Sequence, residues 1–216
     1  MNNSNFKTIS VLVDNDSWIL PYAKELIRTL PKSYQCQLIR KADDIPQGEV
    51  CFFLGCTQIV DDDILMRNSY NLVVHESMLP QGKGFAPMSW QILAGQHSIP
   101  VCLLEATSKV DSGKIWLTDT IELNGSELHD DWRAKQGEIT LKLAKEFIEN
   151  CQQLTPKSQI GESSFYPKRT KKDSELDINK SLNEQFDLLR VVSNSDYPAF
   201  FIKGGVKYTL RIDKDD

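Results

Sequence analysis

The sequence predicts an α/β fold with a Rossmann-like, mostly parallel sheet and a small C-terminal helix and β-hairpin. Two observations carry this prediction. Short apolar runs alternate with segments of helical spacing through residues 8–154, which indicates strands returned to one sheet by crossover helices. One run, residues 49–54 (EVCFFL), is almost continuously apolar, as expected for a strand buried on both faces.

The first half of the chain holds four predicted strands, at residues 8–13, 37–39, 49–54 and 72–74. Helical spacing between the first two strands covers residues 17–30, with Pro21 in the first turn and Pro31 after the end. Residues 61–66 form a predicted helical turn before the fourth strand. Its three leading aspartates, residues 61–63, are interpreted as helix N-terminal caps rather than metal ligands.

The second half continues this alternation. A helix that begins with proline spans residues 87–93, a strand spans residues 101–105, and an outer strand spans residues 115–123. A long amphipathic helix is predicted for residues 131–154. These elements complete a predicted catalytic core of residues 1–154.

The end of the chain differs in composition. Residues 155–181 are polar and rich in Lys, Ser and Pro, which predicts an extended strap over the surface of the core. Residues 182–216 form the third predicted unit, with a helix and two strands at residues 182–192, 199–202 and 208–212. The sequence KGGV at residues 203–206 is a hairpin turn signal. The free edge of this hairpin leads us to expect a homodimer that pairs through it.

Composition limits the class of protein. The 216 residues are 40% hydrophobic and 25% charged, enough for one sizeable core and a small appendage. The formal net charge of −5 argues against a large nucleic-acid interface. No apolar run has membrane-spanning length, and the N-terminal MNNSNFK lacks the apolar segment of a secretory signal. We therefore expect a cytoplasmic protein without a membrane or nucleic-acid partner.

The cysteines and the first loop argue against two further classes. The cysteines are odd in number and widely spaced, which predicts reduced thiols rather than a disulfide framework or a zinc site. They are Cys36, Cys51, Cys56, Cys102 and Cys151. After the first strand, residues 13–16 read VDND, where a dinucleotide site needs G-x-G-x-x-G. A dinucleotide cofactor in that position is not expected.

A single histidine and a distant carboxylate carry the predicted chemistry. His75 directly follows the strand at residues 72–74, and Asp111 lies in a D-S-G turn shortly after the strand at residues 101–105. Ligands of open α/β sheets bind beyond the carboxyl ends of strands, so the two side chains are expected to meet there. Together they have the outline of a general acid/base pair. The competing interpretation is a core histidine and an ordinary turn aspartate.

Several motifs follow the histidine at defined spacing. The segment VHESMLP at residues 74–80 precedes Gly84, Pro87 and Trp90, and then D-S-G at residues 111–113. Further segments are FYPKRT at 165–170, DSELD at 173–177, LLRVV at 188–192 and YPAFF at 197–201. These segments resemble those of the folate-dependent formyltransferases, and in particular of the sugar N-formyltransferase branch. The resemblance covers most of the chain.

The resemblance implies transfer of the formyl group of N10-formyltetrahydrofolate, with His75 and Asp111 as catalytic residues. The pterin of this co-substrate is expected against the loop after residue 54 and the loop before the catalytic aspartate. The residues expected to contact it are Gly55, Cys56, Thr57, Gln58, Ile59, Val60, Glu105, Ser108, Val110 and Asp111. No metal is implied.

The resemblance also implies an acceptor, the amine of a nucleotide-linked amino sugar. A UDP- or dTDP-4-amino-4,6-dideoxy sugar, as a precursor of surface polysaccharides or nonulosonates, belongs to this class. Since Arg and Lys suit phosphate recognition, the expected contacts are Lys83, Gly84, Tyr166, Lys168 and Arg169. A solvated basic strap is the competing interpretation. Methionyl-tRNA and, more weakly, purine-ribonucleotide formylation are alternatives. The acidic balance disfavours the first, and the glycine-free first loop disfavours the second.

One position departs from the family pattern. The family's asparagine two residues before the histidine is Val73 here, and a valine side chain cannot donate a hydrogen bond to an oxyanion. Loss of one such donor typically costs about 10²–10³ in rate. Protonated His75 with a backbone N–H, or a polar group such as Asn71 or Ser77, could replace it. If no group replaces the missing donor, the chain is a pseudoenzyme that binds folate and sugar without transferring the formyl group. We expect an active enzyme.

The other imidazole and aromatic side chains near these motifs are given no chemical role. Trp132 and Tyr197 are expected to pack in the ordinary way. His97 and His129 lack a partner pattern and are expected at the surface.

Overall fold

The computed structural model describes residues 7–215. Its strands are β1 Thr8–Leu12, β2 Gln35–Ile39, β3 Gly48–Phe53, β4 Asn68–His75, β5 Lys83–Gly84, β6 Ser98–Glu105, β7 Ile115–Glu122, β8 Phe165–Tyr166, β9 Ala199–Lys203 and β10 Val206–Leu210. Its α-helices are α1 Leu20–Thr29, α2 Asp62–Leu65, α3 Pro87–Leu93, α4 His129–Asn150 and α5 Phe186–Val191. The N-terminal sequence MNNSNFK, residues 1–7, was expected to lack a secretory signal. All of it except Lys7 lies outside the described residues.

Six strands form the central sheet in the order β2-β1-β3-β4-β6-β7. The pairings among β2, β1, β3 and β4 are parallel, and those of β6 with β4 and with β7 are antiparallel. The mostly parallel α/β fold is therefore confirmed. Strand β6 is an antiparallel member of this sheet, because Leu72 pairs with Glu105 and His75 with Cys102. The chain after β6 must turn back to reach the carboxyl end of β4.

The sheet is covered on both faces, which explains its apolar runs. Ile9 and Val11 of β1 pack in the larger core cluster with α1 and α4, while Leu12 packs in a smaller cluster on the opposite face. Trp132 and Phe147 of α4 are fully buried in the larger cluster. Truncating Phe147 to alanine is expected to cost about 3–5 kcal/mol, because the cavity it leaves cannot fully collapse.

Helix boundaries differ from the predictions by a few residues. Helix α1 begins at Leu20 rather than at residue 17, with Pro21 in its first turn. Helix α4 ends at Asn150 and continues as a 3₁₀ turn, Cys151–Gln153. The predicted helix at residues 182–192 divides into a 3₁₀ turn, Asn183–Gln185, and α5. Asp61 occupies the N-cap position of α2, but its side chain makes no capping hydrogen bond.

The strap, residues 155–181, is mostly extended, with a 3₁₀ turn at Lys171–Ser174, and holds β8, which pairs in parallel with β5. The C-terminal strands β9 and β10 form the predicted hairpin, and both turn glycines have positive φ. Ile202, Val206 and Tyr208 of this hairpin are exposed, and a homodimer through it stays a prediction. Within residues 7–215 no helix has the length and hydropathy needed to cross a bilayer.

Two predictions about individual side chains have different outcomes. The five cysteines are all free thiols, of which Cys36 and Cys56 are only half-buried. His129 is not a surface residue, because its Nε2 lies 3.0 Å from the Tyr197 hydroxyl and its ring packs edge-on against Trp132. Burial lowers the pKa of His129. A sequence scan could not find this contact, since Tyr197 lies 68 residues further along the chain.

Candidate active site

His75 is the last residue of β4 and is buried at the carboxyl edge of the parallel strands. Its Nε2 lies 2.7 Å from the carbonyl oxygen of Gly82. A carbonyl oxygen can only accept a hydrogen bond, so Nε2 carries a proton and the neutral ring keeps its lone pair on Nδ1. The backbone of the following loop thus selects the tautomer in which Nδ1 can act as a base.

Asp111 completes the predicted pair. Its Oδ2 lies 3.5 Å from His75 Nδ1, an ion-pair distance once the imidazole is protonated. The same oxygen accepts a 2.8 Å hydrogen bond from the backbone N–H of Gly84. Asp111 has a φ of 46°, in the left-handed region that aspartate tolerates better than most residues. The loop after the antiparallel β6 therefore returns to His75, as the predicted acid/base pair requires.

A close backbone approach shapes the D-S-G turn. A Cβ atom on Gly113 would lie 2.0 Å from the carbonyl oxygen of Glu105, so only glycine fits there. The backbone N–H of Glu105 donates to the carbonyl of Lys114 and closes the loop. From the strap, the Gln159 amide donates to the carbonyls of Asp111 and Gly113, both at 2.9 Å. Gln159 was not identified from sequence, where no motif distinguishes it.

The strap also holds the loop that faces His75. The backbone N–H of Gly82 donates to Ser164 Oγ at 2.9 Å. Gly84 pairs with Tyr166, whose carbonyl oxygen would lie 2.6 Å from a Cβ at this position, where φ is +97°. Trp90 stacks on the Tyr166 ring, and its indole N–H donates to the carbonyl of Pro167. The strap therefore supports the site from outside rather than only covering the core.

A cavity of about 620 Å³ opens beside His75, and we call it the loop cavity. Most of its wall comes from the loop after β3 and the loop after β6, with half-exposed Phe85 at its rim. Every residue expected to contact folate lines this cavity except Ser108: Gly55, Cys56, Thr57, Gln58, Ile59, Val60, Glu105, Val110 and Asp111. The two loops expected to hold the co-substrate thus share one cavity with the catalytic pair.

Asp14 organises the first of these loops. Its carboxylate accepts hydrogen bonds from the backbone N–H groups of Thr57, at 2.9 Å, and Gln58, at 3.3 Å. The VDND segment that excludes a dinucleotide site therefore has a structural role of its own. Burial raises the pKa of the Cys56 thiol to about 12, so this cavity residue stays protonated and is a poor nucleophile near neutral pH.

A second cavity, of about 320 Å³, is also lined by His75, and we call it the helix cavity. Its wall comes from the segment before α1, from the start of α3 and from one face of α4. The two cavities share seven residues: Gly55, Cys56, Thr57, Val74, His75, Gly84 and Phe85. His75 therefore stands where the two cavities join.

The helix cavity contains a polar array that sequence reasoning missed. The Arg133 guanidinium lies 4.6 Å from the Trp18 ring centroid and 4.3 Å from that of Trp132. Its Nη1 donates to Gln136 Oε1 at 2.7 Å, and Gln136 Nε2 donates to Glu76 Oε1 at 2.6 Å. Burial lowers the pKa of Arg133 but leaves it a cation. The sequence feature that could have pointed to this array is the position of Glu76 directly after His75.

Four of the five residues expected to contact the acceptor lie outside both cavities. Lys83 is buried and donates to Ser112 Oγ at 3.0 Å. The Arg169 guanidinium donates to the carbonyls of Val191 and Asp173. Tyr166 stacks on Trp90, and exposed Lys168 lies over the Phe85 ring. Only Gly84 lines the cavities.

The position of the family asparagine is apolar in the structure as well. Val73 lines the loop cavity and packs beside Leu104. The Asn71 amide donates to the carbonyls of Leu65 and Asn68, so it is not free to replace a missing donor. Ser77 Oγ is buried without a hydrogen-bond partner among the described residues. Of the two side chains considered as substitutes, Ser77 has the unused hydroxyl group, but it lines neither cavity.

Sequence comparison connects this site with known proteins. No family model matches the chain. Methionyl-tRNA formyltransferase of Francisella philomiragia is 29% identical over 133 residues, which are 62% of this chain and 43% of that protein. The chain thus spans less than half the length of the curated relatives it matches.

Solved structures share the fold over nearly the whole chain. Methionyl-tRNA formyltransferase from Clostridium thermocellum has a TM-score of 0.81 at 19% identity, covering 97% of this chain and 94% of that one. A 4-N formyltransferase from Francisella tularensis has a TM-score of 0.76 at 18% identity, covering 97% and 98%. HypX from Aquifex aeolicus, in complex with tetrahydrofolic acid, has a TM-score of 0.76 at 16% identity, covering 97% and 38%. Together with the sequence similarity, these likenesses confirm the resemblance of this chain to the folate-dependent formyltransferases.

Proposed function

We propose that this protein transfers the formyl group of N10-formyltetrahydrofolate to the amine of a nucleotide-linked amino sugar. One observation carries the proposal: His75, paired with Asp111, stands at the junction of two cavities. A two-substrate transfer needs a donor and an acceptor on opposite sides of one proton-transfer group. The HypX complex with tetrahydrofolic acid supports a folate ligand in this fold.

In the proposed mechanism the folate pterin occupies the loop cavity and the acceptor amine enters from the helix cavity. The amine lone pair attacks the formyl carbon, and His75 Nδ1 accepts the proton that the nitrogen loses. Collapse of the tetrahedral intermediate breaks the carbon–N10 bond, and the imidazolium returns this proton to N10. A positioned acid/base group of this kind contributes about 10²–10⁴ in rate.

Stabilisation of the oxyanion is the step for which Val73 cannot supply a hydrogen-bond donor. The backbone N–H groups of Gly82 and Gly84 already donate to Ser164 Oγ and Asp111 Oδ2. Protonated His75 can donate from Nδ1 once it has accepted the proton of the amine. We therefore assign it the stabilisation of the oxyanion, with Asp111 balancing the charge of the imidazolium.

Three observations support a sugar acceptor. The helix cavity has the size of a monosaccharide site and not of a whole nucleotide sugar. The formal net charge of −5 disfavours a large nucleic-acid contact. The 4-N formyltransferase of Francisella tularensis shares the fold over nearly its full length. In this proposal the nucleotide lies outside the cavity, towards exposed Lys168 on the strap.

Methionyl-tRNA is the second candidate acceptor. Sequence similarity favours it, because the curated relative reported above is a methionyl-tRNA formyltransferase. A tRNA acceptor would place its aminoacyl end in the helix cavity and the rest of the molecule on the outer surface. The two candidates differ in what lies outside the cavity and share the proposed chemistry at His75.

The test is a direct assay of transfer. The protein is mixed with N10-formyltetrahydrofolate and, in parallel, with UDP- or dTDP-4-amino-4,6-dideoxy sugars or with methionyl-tRNA. We expect tetrahydrofolate to form and the nucleotide sugar to gain the mass of one formyl group. Formylation of methionyl-tRNA alone would replace the sugar by the second candidate. Folate binding without transfer to either acceptor would identify a pseudoenzyme and refute the proposal.

A further inference from the structure

The Glu76 carboxylate occupies an unusual place, because a buried acid lines the helix cavity directly beside the reacting histidine. Its side chain is 8% exposed, and its Oε1 accepts the hydrogen bond from Gln136. Its second oxygen has no hydrogen-bond partner among residues 7–215. Because Glu76 lines the helix cavity, a ligand in this cavity can supply the donor that the second oxygen accepts.

The surroundings hold this carboxylate rigidly. The backbone carbonyl of Glu76 accepts a 2.5 Å hydrogen bond from the Gln91 amide. On the side chain, Arg133 fixes the orientation of the Gln136 amide by donating to its oxygen, so that the amide NH₂ group faces Glu76. Arg133 is itself held between two indole rings. The array therefore keeps one carboxylate oxygen occupied and leaves the other for the cavity.

We infer that Glu76 is the residue that selects and positions the acceptor amine in the helix cavity. This inference rests on the proposed formyl transfer. A neutral primary amine has two N–H groups and one lone pair. His75 Nδ1 accepts from one N–H, and the free oxygen of Glu76 accepts from the other. The lone pair is then left to point towards the formyl carbon in the loop cavity.

This geometry predicts a preference for primary amines over hydroxyl groups. A hydroxyl group has one hydrogen, so it cannot satisfy both acceptors and leaves the buried carboxylate or the imidazole without a partner. Hydrogen bonds to charged groups are among the stronger ones, and losing one lowers affinity by about tenfold or more. Acceptors with a phosphate or carboxylate beside the amine are disfavoured, because these anionic groups are repelled by the Glu76 carboxylate. The positive charge of Arg133 lies beyond Gln136, further from the amine than Glu76.

The test compares two nucleotide sugars that differ in one group, dTDP-4-amino-4,6-dideoxyglucose and dTDP-6-deoxyglucose. Their affinities for the full chain are measured by calorimetry in the presence of tetrahydrofolate. We expect the wild type to bind the amino sugar about tenfold more tightly. In Glu76→Gln the amide oxygen keeps the bond from Gln136 and turns an NH₂ group to the cavity. The preference should then disappear, while tetrahydrofolate affinity stays unchanged.

A matched variant and the turnover assay separate the possible outcomes. Glu138→Gln removes the same charge from an exposed position of α4 and should keep the preference. If the wild type shows no preference, whether both sugars bind equally or neither binds, the role of Glu76 is refuted, even if Glu76→Gln fails to fold. If transfer occurs and Glu76→Gln keeps the wild-type preference, the role of Glu76 fails and the proposed function stands. If the preference depends on Glu76 but no tetrahydrofolate forms, the role stands and the proposed function fails.

Discussion

The loop cavity and the helix cavity share His75 but are built from different material. Two irregular loops, held by backbone hydrogen bonds and by Asp14 and Gln159, form most of the loop cavity. The helix cavity shares part of that wall but adds side chains from α3 and α4, including Arg133 and Gln136, which are hydrogen-bonded to each other. Backbone-built walls suit a ligand that all members of a family bind, whereas side-chain walls can change with the acceptor. Under the proposed function, the co-substrate occupies the loop cavity and the acceptor occupies the helix cavity.

Replacing His75 should have the largest effect, because it belongs to both cavities. We expect His75→Asn to lower turnover by about 10²–10⁴, since the amine then has no base and N10 no acid. Tetrahydrofolate affinity, measured by calorimetry, should stay near that of the wild type. His97→Asn changes an exposed histidine and is the matched control. Turnover of His75→Asn close to the wild type would contradict the shared role of this residue.

Asp111→Asn changes the loop-cavity side alone and should lower turnover by about 10². The amide oxygen can still accept the Gly84 N–H, and asparagine also tolerates the left-handed backbone, so the turn should keep its shape. The lost charge leaves the imidazolium unbalanced, and the pH–rate profile should shift. Asp63→Asn, at an exposed position of α2, is the control. An unchanged pH–rate profile would show that Asp111 and His75 are not coupled.

The substitution Gln159→Leu tests whether the strap supports the loop cavity from outside. The change removes two hydrogen bonds to the Asp111 turn and should lower the free energy of unfolding by about 1–2 kcal/mol. We expect turnover to fall roughly tenfold, because small displacements of a catalytic group reduce rate. Affinity for the amino sugar should be unaffected. Gln153→Leu, at an exposed position just before the strap, is the control, and equal turnover of the two variants would refute the role of Gln159.

The fold was largely predictable because the sheet is buried on both faces and its apolar runs stand out. The direction of β6 was not, since an antiparallel strand covered on both faces has the same apolar pattern as a parallel one. The prediction that His75 and Asp111 meet placed both residues beyond the carboxyl ends of strands, and the antiparallel direction of β6 removes that reason for Asp111. Only the return of the loop at Gly113 brings them together.

The helix cavity shows where sequence reasoning ended. Gln136 lies 60 residues after Glu76, on the buried face of a long amphipathic helix, where a glutamine and an arginine resemble ordinary helix residues. Lys83 and Arg169 had the residue types expected of a phosphate site, yet both donate to groups of the protein itself. Residue type and spacing indicate chemistry along one segment, whereas partners supplied by distant segments appear only after folding.

Val73→Asn tests whether the loop cavity is adapted to lack the family's donor. Val73 packs beside Leu104, so an amide there would be poorly paired and should lower the free energy of unfolding by about 1–3 kcal/mol. We expect turnover to stay the same or fall, because His75 supplies the donor to the oxyanion. Thermal midpoint and turnover are measured together, with Val73→Leu as the control that has about the size of asparagine and no hydrogen-bond donor. A stable Val73→Asn variant with clearly higher turnover would show that a donor is missing in the wild type.

Glu127→Gln should leave the chemistry intact and change only the support of the helix cavity. Glu127 lies just before α4 and accepts hydrogen bonds from Lys135 Nζ, at 2.8 Å, and from the backbone of Asn124. Fully buried Arg190 of α5 lies at 3.5 Å and links this point to the C-terminal region. Burial acts to raise the pKa of Glu127, but these hydrogen bonds outweigh it and hold the pKa at about 2, below the ordinary 4.5.

The sign of the pH dependence follows from this lowered pKa. A carboxyl group that is more acidic in the folded state stabilises the fold fully above about pH 4.5, and this contribution disappears as the pH falls towards 2. Glu127→Gln does not titrate, so at pH 7 it should lose about 3 kcal/mol of unfolding free energy. The difference from the wild type should shrink between pH 4.5 and pH 2, as measured by denaturant unfolding at several pH values. Glu138→Gln should show no such pH-dependent difference. A Glu127→Gln difference that stays constant over this range would show that Arg190 and Lys135 do not depend on a charged partner to hold α4 in place.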